Sequence, residues 1–272
     1  MDQCWGFYEY SSNDSQFQVL ASLRVVVNDC NDALIGTLLE SLSNYLQLPS
    51  LREFHGQKIG SLQEGADKRL ARLEPVTISL VHLETRESQL NATDLTIVLR
   101  ASKNLKTLSY ELSQFRYTRG NYSIPELSAA LCWTEGRLEN LWLDYEGGNA
   151  MFSHADLSPL SSLSSFKVPK NLRVPMYLFS GIDGVGTTWF GPDGQGPAPD
   201  LTSLMPSSIE TLYFSKTEGR IKVLTSVLQK LLQAKDSCTP QLQRIAFEAD
   251  VTGKDDAFDY SCLDVPDKEA GS

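Results

Sequence analysis

One short pattern of apolar positions recurs along most of the chain. Large apolar residues fall at i, i+3 and i+5, in the form L-x-x-L-x-L. The sets are Leu20-Leu23-Val25, Leu51-Phe54 with Gly56, Leu73-Val76-Ile78, Leu105-Leu108-Tyr110, Leu138-Leu141-Leu143, Leu163-Phe166-Val168, Ile209-Leu212-Phe214 and Leu242-Ile245-Phe247. The last two anchors of a set stand two residues apart, so a strand turns both to one side; the first packs from the turn before it. The middle anchors, at 23, 54, 76, 108, 141, 166, 212 and 245, are separated by 31, 22, 32, 33, 25, 46 and 33 residues.

A second period lies between the anchors. Asp32 to Leu46 carries Leu34, Ile35, Leu38, Leu39, Leu42, Tyr45 and Leu46 at helical spacing, with Asn31 or Asp32 as the expected N-cap. Asp94 to Ala101 turns Leu95, Val98 and Leu99 to one face behind Thr93 as a cap. Ser123 precedes a helix with Pro125 in its first turn and Leu127, Ala130 and Leu131 inward. Ile221 to Leu232 is the longest, with Ile221, Leu224, Val227, Leu228, Leu231 and Leu232 on one face.

Strand, loop, helix and loop at this period is the plan of a leucine-rich repeat, whose units run about 20–29 residues and longer when each carries a full helix. The fold class expected is α/β, an irregular leucine-rich-repeat solenoid with a curved parallel sheet and helices on the convex side. An ordinary α/β domain with parallel strands is the alternative. The first set fills the whole consensus, Leu20-x-x-Leu23-x-Val25-x-x-Asn28-x-Cys30. Later sets place Ser113, Glu146, Thr217 and Asp250 at the asparagine slot, so an asparagine ladder would be irregular. The organisation expected is an N-terminal segment or partial cap over 1–19, repeats over 20–252 and a polar tail over 253–272, with no obvious N-terminal cap.

The long step reads as an insertion over 170–205, with Gly181, Gly184, Gly186, Gly191, Gly194 and Gly196 and four prolines, Pro175, Pro192, Pro197 and Pro199. Gly181-Ile182-Asp183-Gly184-Val185-Gly186 lacks the Lys-Ser/Thr of a P-loop and the strand–helix setting of a dinucleotide fingerprint. Asp183 and Asp193 do not have the spacing of an EF-hand loop.

Charge and cysteine content narrow the classes. The 272 residues carry a formal net charge of -10, and the densest basic stretches, Lys68-Arg69 with Arg72 and Arg116 with Arg119, form no patch for nucleic acid. Five scattered cysteines, Cys4, Cys30, Cys132, Cys238 and Cys262, make neither a zinc motif nor a disulfide framework. The first ten residues do not read as a signal peptide, and no segment approaches the roughly 18 apolar residues of a membrane span. A cytoplasmic or nuclear protein with no membrane or nucleic-acid partner is expected.

No catalytic pattern stands out. His55, His82 and His154 share no metal-ligand spacing, and neither H-E-x-x-H nor G-x-S-x-G occurs. No catalytic, metal or cofactor site is expected, so the chain reads as a binding module and not an enzyme. The strand positions that alternate with the anchors should line the binding face: Arg24 and Val26, His55, Thr77 and Ser79, Ser109 and Glu111, Trp142 and Asp144, Lys167, Tyr213 and Ser215, Ala246 and Glu248. Within that set the candidate partner contacts are Arg24, His55, Glu111, Trp142, Asp144 and Tyr213, with Trp142 and Tyr213 foremost because exposed aromatics dominate interface energetics. Two other classes stay open: an α/β enzyme with a site at the Gly-rich insertion, and a structural fragment of a larger protein.

The run Leu160-x-x-Leu163-x-x-Phe166-x-Val168-Pro169, then an insert, then Leu204-Met205-Pro206-Ser207-Ser208-Ile209-Glu210-Thr211-Leu212, resembles the C-terminal part of fungal F-box and leucine-rich-repeat-like proteins. There an L-P-x-S-L-E-x-L segment opens a late repeat. The helix Ile221 to Leu232 and the unit Pro240-Gln241-Leu242-x-x-Ile245 follow in the same order, and the likeness covers roughly residues 20–250. It implies substrate recognition for a cullin-type ubiquitin ligase. A Skp-type adaptor would bind only through an F-box, which opens with Leu-Pro-x-Glu, and no such segment precedes Leu20.

Overall fold

The computed structural model describes residues 24–28, 37–61, 73–88, 90–113, 124–146, 160, 163–175, 177–180, 199–215, 221–248 and 263–264. The chain is α/β, with mostly parallel strands, and falls into two compact units. The first comprises 1–121 with 145–147, the second 122–144 with 148–272.

In the first unit the strands are β1 (Val25–Asn28), β2 (Thr37–Leu38), β3 (Glu53–Gln57), β4 (Ile59–Gly60), β5 (His82–Ser88) and β6 (Thr107–Ser113). β1, β3, β5 and β6 lie side by side in that order, all parallel, and β2 pairs with β4. In the second unit β7 (Asn140–Glu146, counted in this unit as far as Asp144), β8 (Asn171–Pro175), β9 (Thr211–Ser215) and β10 (Arg244–Phe247) are likewise parallel neighbours. A short β11 (Leu263–Asp264) runs antiparallel on β10. Parallel neighbours need a crossover between them. The helices that supply it here include Leu39–Leu46, Ala92–Ala101 and, in the second unit, Ile221–Gln233.

One backbone device recurs in both units. Ahead of six of the described strands, a carbonyl accepts two consecutive N–H groups from the approach to the neighbouring strand. Arg24 O takes Arg52 N and Glu53 N, Arg52 O takes Val81 N and His82 N, and Val81 O takes Lys106 N and Thr107 N. Glu139 O takes Lys170 N and Asn171 N, Lys170 O takes Glu210 N and Thr211 N, and Glu210 O takes Gln243 N and Arg244 N, all at 2.7–3.2 Å. The device fixes each strand's start, so equivalent side chains stack. Phe54, Leu83 and Leu108 sit in one row, and Leu141, Leu172, Leu212 and Ile245 in another. Both rows are buried.

Five of the expected anchor sets lie where the pattern puts them, in β3, β6, β7, β9 and β10. Three are displaced. Val26 stands opposite Phe54 and Asn28 opposite Gly56, so the inward positions of β1 are Val26 and the buried Asn28; Val25 faces out. Leu73-Val76-Ile78 forms no strand: Pro75 interrupts it, Val76 has φ 65° and is exposed, and Ile78 bridges to Ser102 at the end of a helix. The strand comes seven residues later, on Leu80-Leu83-Thr85, where a threonine fills the third anchor. Leu163 and Phe166 are buried in a turn, and the neighbouring strand uses Pro169, Leu172 and Val174 instead. The middle anchors thus become 26, 54, 83, 108, 141, 172, 212 and 245, separated by 28, 29, 25, 33, 31, 40 and 33 residues. Part of the Gly/Pro-rich stretch is therefore regular, with β8 at its start and helices at Tyr177–Ser180 and Leu201–Leu204; 181–198 lie outside the described residues.

The helices follow the apolar period in part: the first begins at Leu39 rather than Asp32, because Thr37–Leu38 pairs as β2, and Leu232 is exposed instead of facing the core. Leu95, Val98 and Leu99 are buried in Ala92–Ala101, and Val227, Leu228 and Leu231 in Ile221–Gln233. The helix Ala92–Ala101 is capped by Asn91, whose Oδ1 accepts from Asp94 N at 2.7 Å, two residues earlier than the Thr93 cap expected. The expected caps Asn31, Asp32 and Ser123 lie outside the described residues. Ile124–Leu131 buries Ile124, Leu127, Ala130 and Leu131. Gly56 is required in β3 because Ile59 folds back over it: a Cβ there would stand 2.7 Å from Ile59 Cγ1 and 2.9 Å from Phe54 Cε1. Among the described residues no helix is long and apolar enough to cross a membrane.

Buried polar atoms at the inward positions are unequally served. Tyr110, third anchor of β6, accepts from Leu90 N at 3.2 Å, and burial raises its phenol above the usual range. Thr85, between Gly56 and Tyr110 in register, is 2% exposed and its hydroxyl has no hydrogen-bond partner. An unpaired buried hydroxyl is destabilising. Thr85→Val should therefore raise the free energy of unfolding in urea by about 1 kcal/mol. Leu83→Ala should cost about 2–5 kcal/mol, whereas Val76→Ala should stay within about 0.5 kcal/mol. Equal losses at 83 and 76 would contradict the strand placement.

Candidate functional site

The outward positions of the parallel strands form rows by the same register that stacks the core. In the second unit Trp142, Arg173 and Tyr213 are consecutive partners on β7, β8 and β9. Trp142 is 44% exposed, an uncommon state for so large an apolar surface. The Arg173 guanidinium carbon lies 4.8 Å from the centre of the Tyr213 ring, within cation–π range. Its Nη2 stands 3.3 Å from Asp144 Oδ2 and 3.9 Å from Glu248 Oε2. Partial burial, then the charges of Glu248 and Asp144, raise the Tyr213 phenol above its ordinary value, with Arg173 opposing. One step toward the strand starts, Asn171 donates to Asn140 Oδ1 at 2.7 Å. The surface so built is an exposed indole beside an arginine held by a tyrosine and two carboxylates.

The first unit carries a different cluster. Glu53 and His55 on β3 stand opposite His82 and Glu84 on β5. His55 Nδ1 is 2.6 Å from Glu84 Oε2, and Arg86 Nε bonds the other oxygen, Glu84 Oε1, at 2.5 Å. The two imidazole centres are 4.9 Å apart. Burial pushes His82 below its ordinary pKa, aided by the neighbouring His55 and opposed by Glu84 and Glu53. For Glu84, burial acts to raise the carboxyl, but hydrogen bonds from His55 and Arg86 outweigh it and the net shift is downward. One donor atom from each of His55, His82 and Glu84 falls within 4.8 Å of the others.

The six candidates are thus divided. Trp142, Asp144 and Tyr213 are brought together; His55 belongs to the histidine–glutamate cluster. Glu111 is half-buried on β6, and Arg24 is exposed immediately before β1, where its carbonyl serves the register device. Several positions expected on the outer face are not there: Val26 turns inward, Ser215 and Ala246 are buried, and Thr77, Ser79 and Lys167 precede strands. Arg173 and His82 were not among the candidates. Arg173 became visible only once β8 was placed at Asn171–Pro175, although the alternation Asn171-Leu172-Arg173-Val174 signals a strand. His82 was missed because 27 residues separate it from His55 and only strand pairing joins them. His154 and the Gly-rich run 181–186 lie outside the described residues.

No protein-family model, no curated protein and no solved structure matches this chain.

The Arg173–Tyr213 contact has a direct test. A double-mutant cycle on unfolding, with Arg173→Ala and Tyr213→Ala, should give a coupling of about 0.5–1 kcal/mol. Additive single-variant effects would mean that the stacked pair contributes nothing.

Proposed function

We propose that this chain is a protein-binding module built on leucine-rich repeats, and that Trp142, Asp144, Arg173 and Tyr213 form the centre of its binding face. One observation carries the reading: an exposed tryptophan, an arginine and a tyrosine occupy one row across three adjacent strands. Trp, Tyr and Arg are the residues most enriched at the energetic centres of interfaces. The guanidinium is already oriented by Tyr213, Asp144 and Glu248, so little freedom is lost when a partner covers it. The recurring carbonyl device, and anchor spacings of 25–40 residues, support the repeat reading and favour stacked units over an ordinary α/β core.

Under this proposal the chain is not an enzyme and works in the cytoplasm or nucleus, in keeping with unpaired Cys132 and Cys238. The resemblance to F-box and leucine-rich-repeat-like proteins extends it to substrate recognition for a cullin-type ubiquitin ligase, in which a Skp-type adaptor would join through an F-box outside residues 20–250.

Affinity purification with mass spectrometry tests both levels. Proteins recovered with the wild-type chain should be lost with Trp142→Ala/Tyr213→Ala, while that variant still unfolds in one cooperative transition, destabilised by no more than about 2 kcal/mol. Retention of every partner would sink the proposed face. Recovery of a Skp-type adaptor would support the ligase reading, and its absence from full-length protein would remove it.

A further inference from the structure

We propose that His55, His82 and Glu84 bind one divalent transition-metal ion of the Zn²⁺ class on the outer face of β3 and β5. The three residues present two imidazoles and a carboxylate from directly paired strands, with donor atoms within 4.8 Å of one another. Donors around a tetrahedral zinc at about 2.0–2.2 Å stand roughly 3.3–3.5 Å apart. His82 Nε2 lies 3.8 Å from Glu84 Oε2, close to that separation. His55 Nδ1, at 2.6 Å from the same oxygen, is hydrogen-bonded and must give up that contact to the ion. Side-chain rotation is enough for the exchange, because the paired strands already hold the Cα positions in register.

Two further observations point to a cation. His82 Nε2 is buried and has no hydrogen-bond partner, an arrangement that is costly for a ring nitrogen unless something accepts from it or binds its lone pair. His55 Nε2, the ring nitrogen that does not contact Glu84, lies 3.6 Å from the Glu53 carboxylate. A carboxylate behind a ligating histidine fixes the ring's orientation and strengthens it as a donor. Arg86 holds the second oxygen of Glu84, leaving Oε2 to the cluster as a single donor. Imidazole ligands favour zinc and its neighbours over calcium or magnesium, which take oxygen donors. Three protein ligands leave at least one coordination position for water or a group from outside.

The test uses the whole chain, stripped with a chelator and then titrated with ZnCl₂ by calorimetry. CoCl₂ serves as a spectroscopic probe, and the histidine resonances are followed by NMR. The expected result is saturation at one ion per chain, visible cobalt bands of low-coordinate nitrogen–oxygen ligation, and shifts at His55 and His82 but not His154. Calcium and magnesium should give none of these. His55→Gln and His82→Gln, which leave the core rows untouched, should each weaken zinc by at least about tenfold, and Glu53→Gln should weaken it by about tenfold while leaving the stoichiometry unchanged. No saturable binding by the wild-type chain would overturn the proposal. So would shifts confined to His154, or binding undiminished in the His55→Gln/His82→Gln double variant.

Discussion

A carbonyl that accepts two successive N–H groups sets the geometry of each unit. Arg24, Arg52 and Val81 do this in the first, and Glu139, Lys170 and Glu210 in the second. Each such carbonyl locks the start of one strand against the start of its neighbour. With the start locked, the two-residue period of a strand decides everything downstream. A slip of one residue would turn Leu83 outward and Glu84 into the core. Burial of one large apolar side chain per strand stabilises the correct register, and the carbonyl device places it.

The same constraint produces the chemistry on the outer face. Residues 25–40 positions apart in sequence become neighbours about 4.8 Å apart across parallel strands. In the first unit that brings two histidines and two glutamates into one block. In the second it sets an indole, a guanidinium and a phenol side by side. The two faces differ in kind. The first offers lone pairs and negative charge, suited to a cation. The second offers flat apolar and cationic surface, suited to a protein. Both depend on side chains held in place by neighbours: Glu84 by His55 and Arg86, and Arg173 by Tyr213 and Asp144.

Much of the fold could be read where large apolar residues fill all three anchors. Leu105-Leu108-Tyr110, Leu138-Leu141-Leu143 and Ile209-Leu212-Phe214 lie in strands as their pattern requires. The pattern misled where a buried turn imitates it. Leu73 and Ile78 are buried like strand anchors, yet they lie outside any strand, and Ile78 bridges to Ser102 at the end of the helix Ala92–Ala101. Conversely, Leu80-Leu83-Thr85 is a true strand hidden by the polar residue at its third anchor. Hydrophobicity reports burial and not the direction of the chain, so it cannot separate these cases. Trp142, Asp144 and Tyr213 were legible as outward residues because their strands were placed correctly. Arg173 was not, because its strand falls inside the stretch that reads as an insertion; His82 reads as surface-facing near a strand, but nothing local joins it to His55.

Local properties were settled by the sequence alone: the α/β alternation, the buried helical faces of Leu95, Val98 and Leu99 and of Val227, Leu228 and Leu231, and the repeated placement of a buried leucine or its equivalent in the strands. Each follows from a period within a dozen residues, which the backbone enforces without reference to distant chain. The tertiary structure decided which residues meet. The pairing of His55 with Glu84, and of Trp142 with Arg173, rests on hydrogen bonds between strands whose paired residues stand 29 and 31 positions apart in the sequence. Nothing in the local period specifies that register. It is chosen when the carbonyl ahead of one strand captures the N–H groups of the next.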